Sequence, residues 1–234
     1  MARLIIKLLA VILTLLLAVT QAIDVPAPSL LRTNLKPPGD AAWGCSSEHG
    51  ANRGSWINTV ADPSWRNVVQ INYNVQLFAS DGSLILDSGI VNSAEQEVTF
   101  NATLSPEKQY TWRVRTTLSI NGTALPQTAW SLAASFETAP SVDSWAMRGA
   151  QWIGGYAELR ADFQVPAAPI TRARAYVAGL GAFYLFVNGQ QVGDHVMDPP
   201  QTVYPKRVLY SILDVTPLLV NGFNAVGALL GNYK

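Results

Sequence analysis

Cysteine, histidine and charge are all scarce in this sequence, and each scarcity narrows what it can do. Cys45 is the one cysteine among 234 residues, so no internal disulfide can staple the fold. It reads as a buried or unpaired thiol in preference to a nucleophile, with His49, in a loop-like stretch, the histidine nearest in sequence. The second histidine, His195, has no further His or Cys at ligand spacing and reads as a loop residue, leaving no metal site. Charged residues make up 14% of the chain, and 16 basic residues balance 16 acidic ones. No polyelectrolyte partner is implied. A nucleic-acid surface would need a basic patch, whereas Arg113, Arg115, Arg172 and Arg174 are spaced like outward strand positions. Hydrophobic residues reach 49%, too many for a disordered chain. The length leaves room for one large or two ordinary domains.

The N-terminus reads as a targeting segment. Arg3 and Lys7 precede the apolar run from Leu8 to Val19, and Thr20-Gln21-Ala22 places small residues at −3 and −1. The pattern predicts a secretory signal over residues 1–22. A membrane anchor is the other reading, but the run falls short of the about 20 residues needed to span, and no later stretch supplies them. A secreted chain makes Asn101-Ala102-Thr103 and Asn121-Gly122-Thr123 usable glycosylation acceptors, both expected on exposed turns.

Residues 23–66, punctuated by Pro26, Pro28, Pro37-Pro38-Gly39 and Gly50 to Gly54, hold no lasting period; a poorly defined segment with a possible first strand is expected. From Ile71 the alternation is clear. Ile71, Tyr73, Val75 and Leu77 are expected on one strand face, Val98 and Phe100 on another, and Tyr110, Trp112 and Val114 on a third. Trp130, Leu132 and Phe136 suggest a closing strand, and Asp81-Gly82 and Asn121-Gly122 mark turns. These short strands predict a small antiparallel sandwich over residues 67–139. A polar, proline-bearing linker follows over 140–150.

A second sheet domain is expected over 151–234. The run Phe183 to Val187 meets Asn188-Gly189, the dipeptide of a tight type I′ hairpin. Thr216-Pro217 reads as N-cap and first helical position, Asn221-Gly222 as the stop, and Ala225 to Leu230 as the next strand. The whole is all-β: two consecutive antiparallel β-sandwiches, the second truncated.

Several spaced blocks carry a family resemblance. Gly-Leu-Gly-Ala-Phe-Tyr-Leu-Phe-Val-Asn-Gly over 179–189, Val192-Gly193-Asp194, Thr202-Val203-Tyr204, Arg207-Val208-Leu209-Tyr210, Asp214-Val215-Thr216 and Asn224-Ala225-Val226-Gly227 resemble the N-terminal β-sandwich domain of the glycoside hydrolase family 78 α-L-rhamnosidases. Asp87-Ser88-Gly89, Tyr110 to Arg115 and Trp130-Ser131 resemble the fibronectin type III-like domain that precedes it in those enzymes. The resemblance implies inverting hydrolysis of terminal L-rhamnose from rhamnose-containing glycosides or polysaccharides by the whole enzyme. It also implies that the acid pair lies in a later (α/α)6 barrel, and that calcium is used by some members. The chain itself is then expected to be a non-catalytic scaffold or sugar-presenting portion; a free-standing carbohydrate-binding or adhesion module is the alternative.

Inverting hydrolysis needs two carboxyl groups about 6.5–9.5 Å apart. Glu95 and Glu97 share a strand face at about 6.6–6.8 Å, but Val98 and Phe100 claim the core and turn both acids to water, which rules against a proton donor. No catalytic residue is expected. Gly179-Leu180-Gly181 lacks the third glycine of a dinucleotide loop, Tyr184 standing there, and reads as a bulge or turn. Sugar binding is placed on Asn188, Asp198, Thr202 and Tyr204, with the alternative that Asn188 serves the turn and Thr202 and Tyr204 are structural. The tryptophans are scattered, and Trp112 and Trp130 are expected inside. The second sandwich is expected to be unfinished, leaving Leu185, Val187 and Leu229 partly in water and Ala225 to Leu230 as an open edge.

Overall fold

The computed structural model describes residues 25–35 and 52–231. The predicted signal segment, Cys45 and His49 lie outside these residues. The chain divides into two units between Ala139 and Pro140.

In the first unit, β1 (Ser29–Thr33), β2 (Arg53–Ile57) and β6 (Glu97–Thr99) form one sheet in the order β1-β2-β6. The other sheet runs β4 (Leu84–Asp87), β3 (Val68–Ala79), β7 (Gln109–Ile120), β8 (Thr123–Ala124). Two short strands, β5 (Val91–Asn92) and β9 (Ala134–Glu137), join it on β3 and β7 respectively. Every pairing is antiparallel. The first sandwich therefore begins well before residue 67: β1 and β2 lie in the stretch where no period was visible, and they contribute Leu31 and Trp56 to the core.

That core is aromatic. Trp112 is fully buried, its ring 5.4 Å from Phe100 and 6.5 Å from Trp56, edge to face in both cases. Phe136 stacks on Phe100 at 5.8 Å. The two indole N–H groups find acceptors inside: Trp112 Nε1 donates to Thr33 Oγ1 at 2.9 Å and Trp56 Nε1 to Gln70 Oε1 at 3.0 Å. Gly54 is the close approach that makes room, since a Cβ there would lie 2.7 Å from Phe100 Cζ. Beside it, Asn34 N donates to Arg53 O at 2.8 Å and Arg53 N to Asn34 Oδ1 at 2.9 Å. Asn34 Nδ2 also reaches Asn52 Oδ1 at 3.0 Å.

Tyr73, Val75 and Leu77 face the core as the alternation predicts, but Ile71 does not. The β3–β7 register shifts between Gln70 and Asn72, so Ile71 is the extra residue of a bulge and is 37% exposed. Upstream of the bulge the phase is inverted, and Gln70 takes the inward place. Glu137 closes the β7–β9 ladder opposite Gln109, and Phe136 is buried there as expected. Trp130 and Leu132 precede the strand: Leu132 is exposed, and Trp130 lies on the outer face of the sheet instead of inside.

In the second unit the supposed linker carries a short helix, α1 (Val142–Met147), whose N-cap Ser141 accepts from Ser144 N. Trp145 on it packs edge-on against Tyr176 and Tyr210 at 6.4 and 5.2 Å. A sheet in the order β10 (Glu158–Val165), β15 (Gly222–Leu230), β12 (Phe183–Val187), β13 (Gln190–Gln191) faces a two-stranded sheet of β11 (Arg174–Ala178) and β14 (Tyr210–Asp214). Phe183, Leu185 and Val187 pack with Val177, Leu213 and Val215 between them.

Leu185 and Val187 are thus buried, against the expectation of partial exposure, because β11 and β14 cover β12. Nor is Ala225 to Leu230 an edge: β15 lies between β10 and β12 and pairs with both. Leu229 is 40% exposed, on the face turned away from the core. The helical turn is a 3-10 turn, Thr216–Leu218, with Val215 and not Thr216 at the N-cap. Thr216 N instead donates to Asp214 Oδ1 at 2.9 Å, and its hydroxyl accepts from Ala173 N.

Candidate functional site

The four predicted sugar-contacting residues fall into two places. Asn188 and Gly189 both have positive φ, 50° and 81°, as the two centres of a type I′ turn require, and Val187 pairs with Gln190 across it. The Asn188 amide donates to Leu218 O and to Asn224 Oδ1, both at 2.9 Å, while its oxygen accepts from Ala225 N. Asn224, buried by the same packing, also ties Val220 and Gly222. Asn188 is therefore a hairpin staple.

Asp198 lies at the other end of β12, about 16 Å away by strand rise, where its carbonyl accepts from Phe183 N at 3.0 Å. Its peptide bond to Pro199 is cis. Asp198 Oδ2 accepts from Ser211 Oγ and sits 3.1 Å from His195 Nδ1. Ser211 is fully buried on β14, so this Ser–Asp–His set is an anchor for the 194–209 loop and not a nucleophile with its base. Thr202 Oγ1 donates to Arg207 O, closing the same loop, and Lys206 N and Arg207 N both donate to Val203 O. Tyr204 is half-buried beside that turn. The structure brings Asp198, Thr202 and Tyr204 into one loop and leaves Asn188 out. Sequence reasoning missed Ser211, whose only signal was its inward place on a strand beside Leu213.

Arg174, half-buried on β11, pairs with Asp214 at 2.7 Å. Burial alone would raise the Asp214 pKa, but hydrogen bonds from Thr216 and the Arg174 charge together hold it below its ordinary value.

The paired acids considered for hydrolysis are elsewhere. Glu97 on β6 forms an ion pair with Arg53 at 2.6 Å with 43% of its side chain exposed, and Glu95 is exposed in the preceding turn. Nothing shields either from water, as a general acid needs. Gly179 and Gly181 flank a bend between β11 and β12, with Gly181 at φ 134°. Among the described residues no three of His, Cys, Asp and Glu converge to hold a metal ion.

A further polar surface lies on the outer face of the first unit. Arg113 and Arg115 stack on Trp130 at 4.7 and 4.5 Å, and Arg113 also covers Phe78 at 5.2 Å. Gln76 Oε1 accepts from Arg113 Nε and Nη2, and Gln76 and Asn74 donate to Asp87. Among the described residues Asn72 Oδ1, Asn74 Oδ1 and Arg115 Nε are buried without a partner.

Residues 49–141 match the family described as Rha78A-like, N-terminal immunoglobulin domain, and residues 168–233 the α-L-rhamnosidase N-terminal domain. An α-L-rhamnosidase of Formosa agariphila is 44% identical over 63 residues, which is 27% of this chain and 7% of that protein. Another, of Streptomyces avermitilis, is 39% identical over 71 residues, 30% of this chain and 7% of that protein. The solved α-L-rhamnosidase of Dictyoglumus thermophilum superposes with a TM-score of 0.75 at 29% identity, covering 91% of this chain and 26% of that one. The chain thus spans about a quarter of that structure's length, and its matched stretches only a small fraction of the curated relatives. Among the described residues no helix is long and apolar enough to cross a membrane.

Proposed function

Residues 49–141 and 168–233 are N-terminal domains of the α-L-rhamnosidase family, and from that premise we propose that the chain is a secreted, non-catalytic scaffold for a rhamnoside-hydrolysing enzyme. The parent activity would be inverting release of terminal α-L-rhamnose from glycosides, with the catalytic domain carried by a further part of the parent enzyme. One observation carries the reading: both domains match in the family's order, while the described acids that could form a pair face water. A sugar held at the second unit would be read by Tyr204, since Asn188 and Thr202 already use their polar groups and Asp198 is tied to Ser211 and His195. The predicted signal segment and the exposed Asn101 and Asn121 support secretion with glycosylation at both.

An antibody against residues 52–231 tests this in the source organism's medium. A secreted, glycosidase-sensitive species roughly four times this chain's length is expected, following the 26% share of the solved relative. It should release rhamnose from an aryl α-L-rhamnoside while the 234-residue chain does not. Turnover by this chain alone, or an intracellular species only, overturns the proposal.

A second reading, a carbohydrate-binding module without hydrolase, is supported by the Trp130 face, where a half-buried aromatic ring adjoins the guanidinium groups of Arg113 and Arg115. Glycan binding that Trp130→Ala removes, by a chain secreted at this length, would favour it.

A further inference from the structure

Among the described residues β10 has one neighbour, β15, and its other edge is open over all eight residues without a bulge. No proline, lysine or irregularity interrupts Glu158 to Val165, and the charges it carries, Glu158, Arg160 and Asp162, are of both signs. We propose that this edge pairs with β10 of a second copy of the chain, antiparallel about a twofold axis through Ala161, making one continuous eight-stranded sheet.

The phase of the ladder permits it. Leu230 N donates to Ala157 O at 2.8 Å, and on the far side of β15 Asn188 N donates to Ala225 O at 2.9 Å. Even-numbered residues of β15 therefore exchange hydrogen bonds with odd-numbered residues of β10. The backbone groups of Glu158, Arg160, Asp162 and Gln164 are left pointing to the open edge. Pairing about Ala161 sets Arg160 opposite Asp162 of the second copy and Glu158 opposite Gln164, closing about eight backbone hydrogen bonds.

Charge selects that register. Sliding by two residues one way places Arg160 opposite Arg160, and the other way Asp162 opposite Asp162, which like-charge repulsion disfavours. Within one copy Arg160 and Asp162 already sit 2.9 Å apart on the same face, at 72% and 62% side-chain exposure, so the dimer would gather four alternating charges. The opposite face gains as well. Leu159, Ala161, Phe163 and Val165 share the inward face with Val226 and Asn224, and Phe163 is still 37% exposed. In the dimer Phe163 meets Leu159 of the second copy across the axis. A self-complementary strand of this kind is an isologous interface, which closes at two copies.

Sedimentation equilibrium of the purified protein at about 100 µM, a range suited to a small interface, should report a dimer. Arg160→Asp and Asp162→Arg each place like charges across the axis and should each sediment as monomers. Both side chains are exposed, and an unchanged circular dichroism spectrum verifies the fold. An equimolar mixture of the two variants restores opposite charges at both contacts and should recover the dimer. A monomeric wild-type protein, single variants as dimeric as wild type, or a mixture that stays monomeric would each overturn the proposal.

Discussion

Replacing Gly54 with alanine adds one methyl group where three ring atoms already converge. The new Cβ would lie 2.7 Å from Phe100 Cζ and 3.0 and 3.1 Å from Trp112 Cη2 and Cζ2. Neither ring can retreat freely. Trp112 is held through Nε1 by Thr33, and Phe100 is flanked by Trp112 on one side and Phe136 on the other. On an open strand, alanine in place of glycine would gain about 0.5–1 kcal/mol from backbone entropy. Overpacking a filled core costs about 1–3 kcal/mol, and with both rings held the upper end of about 2–3 kcal/mol applies; less a full gain of about 1 kcal/mol, the net effect should be a loss of about 1–2 kcal/mol. For a unit of about 100 residues that lowers its melting midpoint by roughly 4–16 °C. Calorimetry reads it directly, because the second unit's transition should stay in place. Adding Phe100→Leu to Gly54→Ala should recover part of the loss, so that the double variant is more stable than the sum of the singles implies. An unchanged or raised midpoint for Gly54→Ala would refute the close packing described for this core.

Three further outcomes can be checked. Asn188→Ala removes the hydrogen bonds to Leu218, Asn224 and Ala225 and puts alanine at φ 50°; a loss of about 2–3 kcal/mol in urea denaturation is expected, with no separate effect on sugar affinity. Asp214, whose folded pKa is lowered, stabilises the second unit above its unfolded pKa, and that contribution is lost as pH falls through the lower folded value. Asp214→Asn should therefore flatten the acid limb of the second unit's stability below about pH 4, and an unaltered limb would count against the Arg174 and Thr216 contacts. Trp130→Ala should cost the first unit about 1–2 kcal/mol through the two lost guanidinium stacks, read by chemical denaturation.

Long alternating strands were legible because burial on one face forces a period of two, and Tyr110, Trp112 and Val114 obey it. Ile71 broke the rule because a bulge adds a residue without any mark in the apolar pattern. Trp130 was misplaced because a large aromatic looks like core until the arginines opposite it are recognised as a surface to stack on. β1 and β2 were invisible for a different reason. Each is five residues long, and Gly54 within β2 replaces the side chain that would have shown the alternation. The turn at Asn188-Gly189 was plain, but the number of partners Asn188 has was not, since these come from residues 30 to 37 positions downstream. Coverage by β11 and β14 likewise depends on pairing across a long connection, which local pattern does not encode.

The reciprocal hydrogen bonds between Asn34 and Arg53, with the Asn34–Asn52 amide contact beside them, act as a clasp. They fasten the end of β1 to the start of β2 at one point. Asn34→Ala cuts the side-chain half of it and leaves the backbone bond from Asn34 N to Arg53 O in place. The strand that brings Leu31 into the core and the Thr33 hydroxyl to Trp112 is then latched less firmly, so the amide protons of β1 should exchange faster while those of β3 and β7 keep their protection.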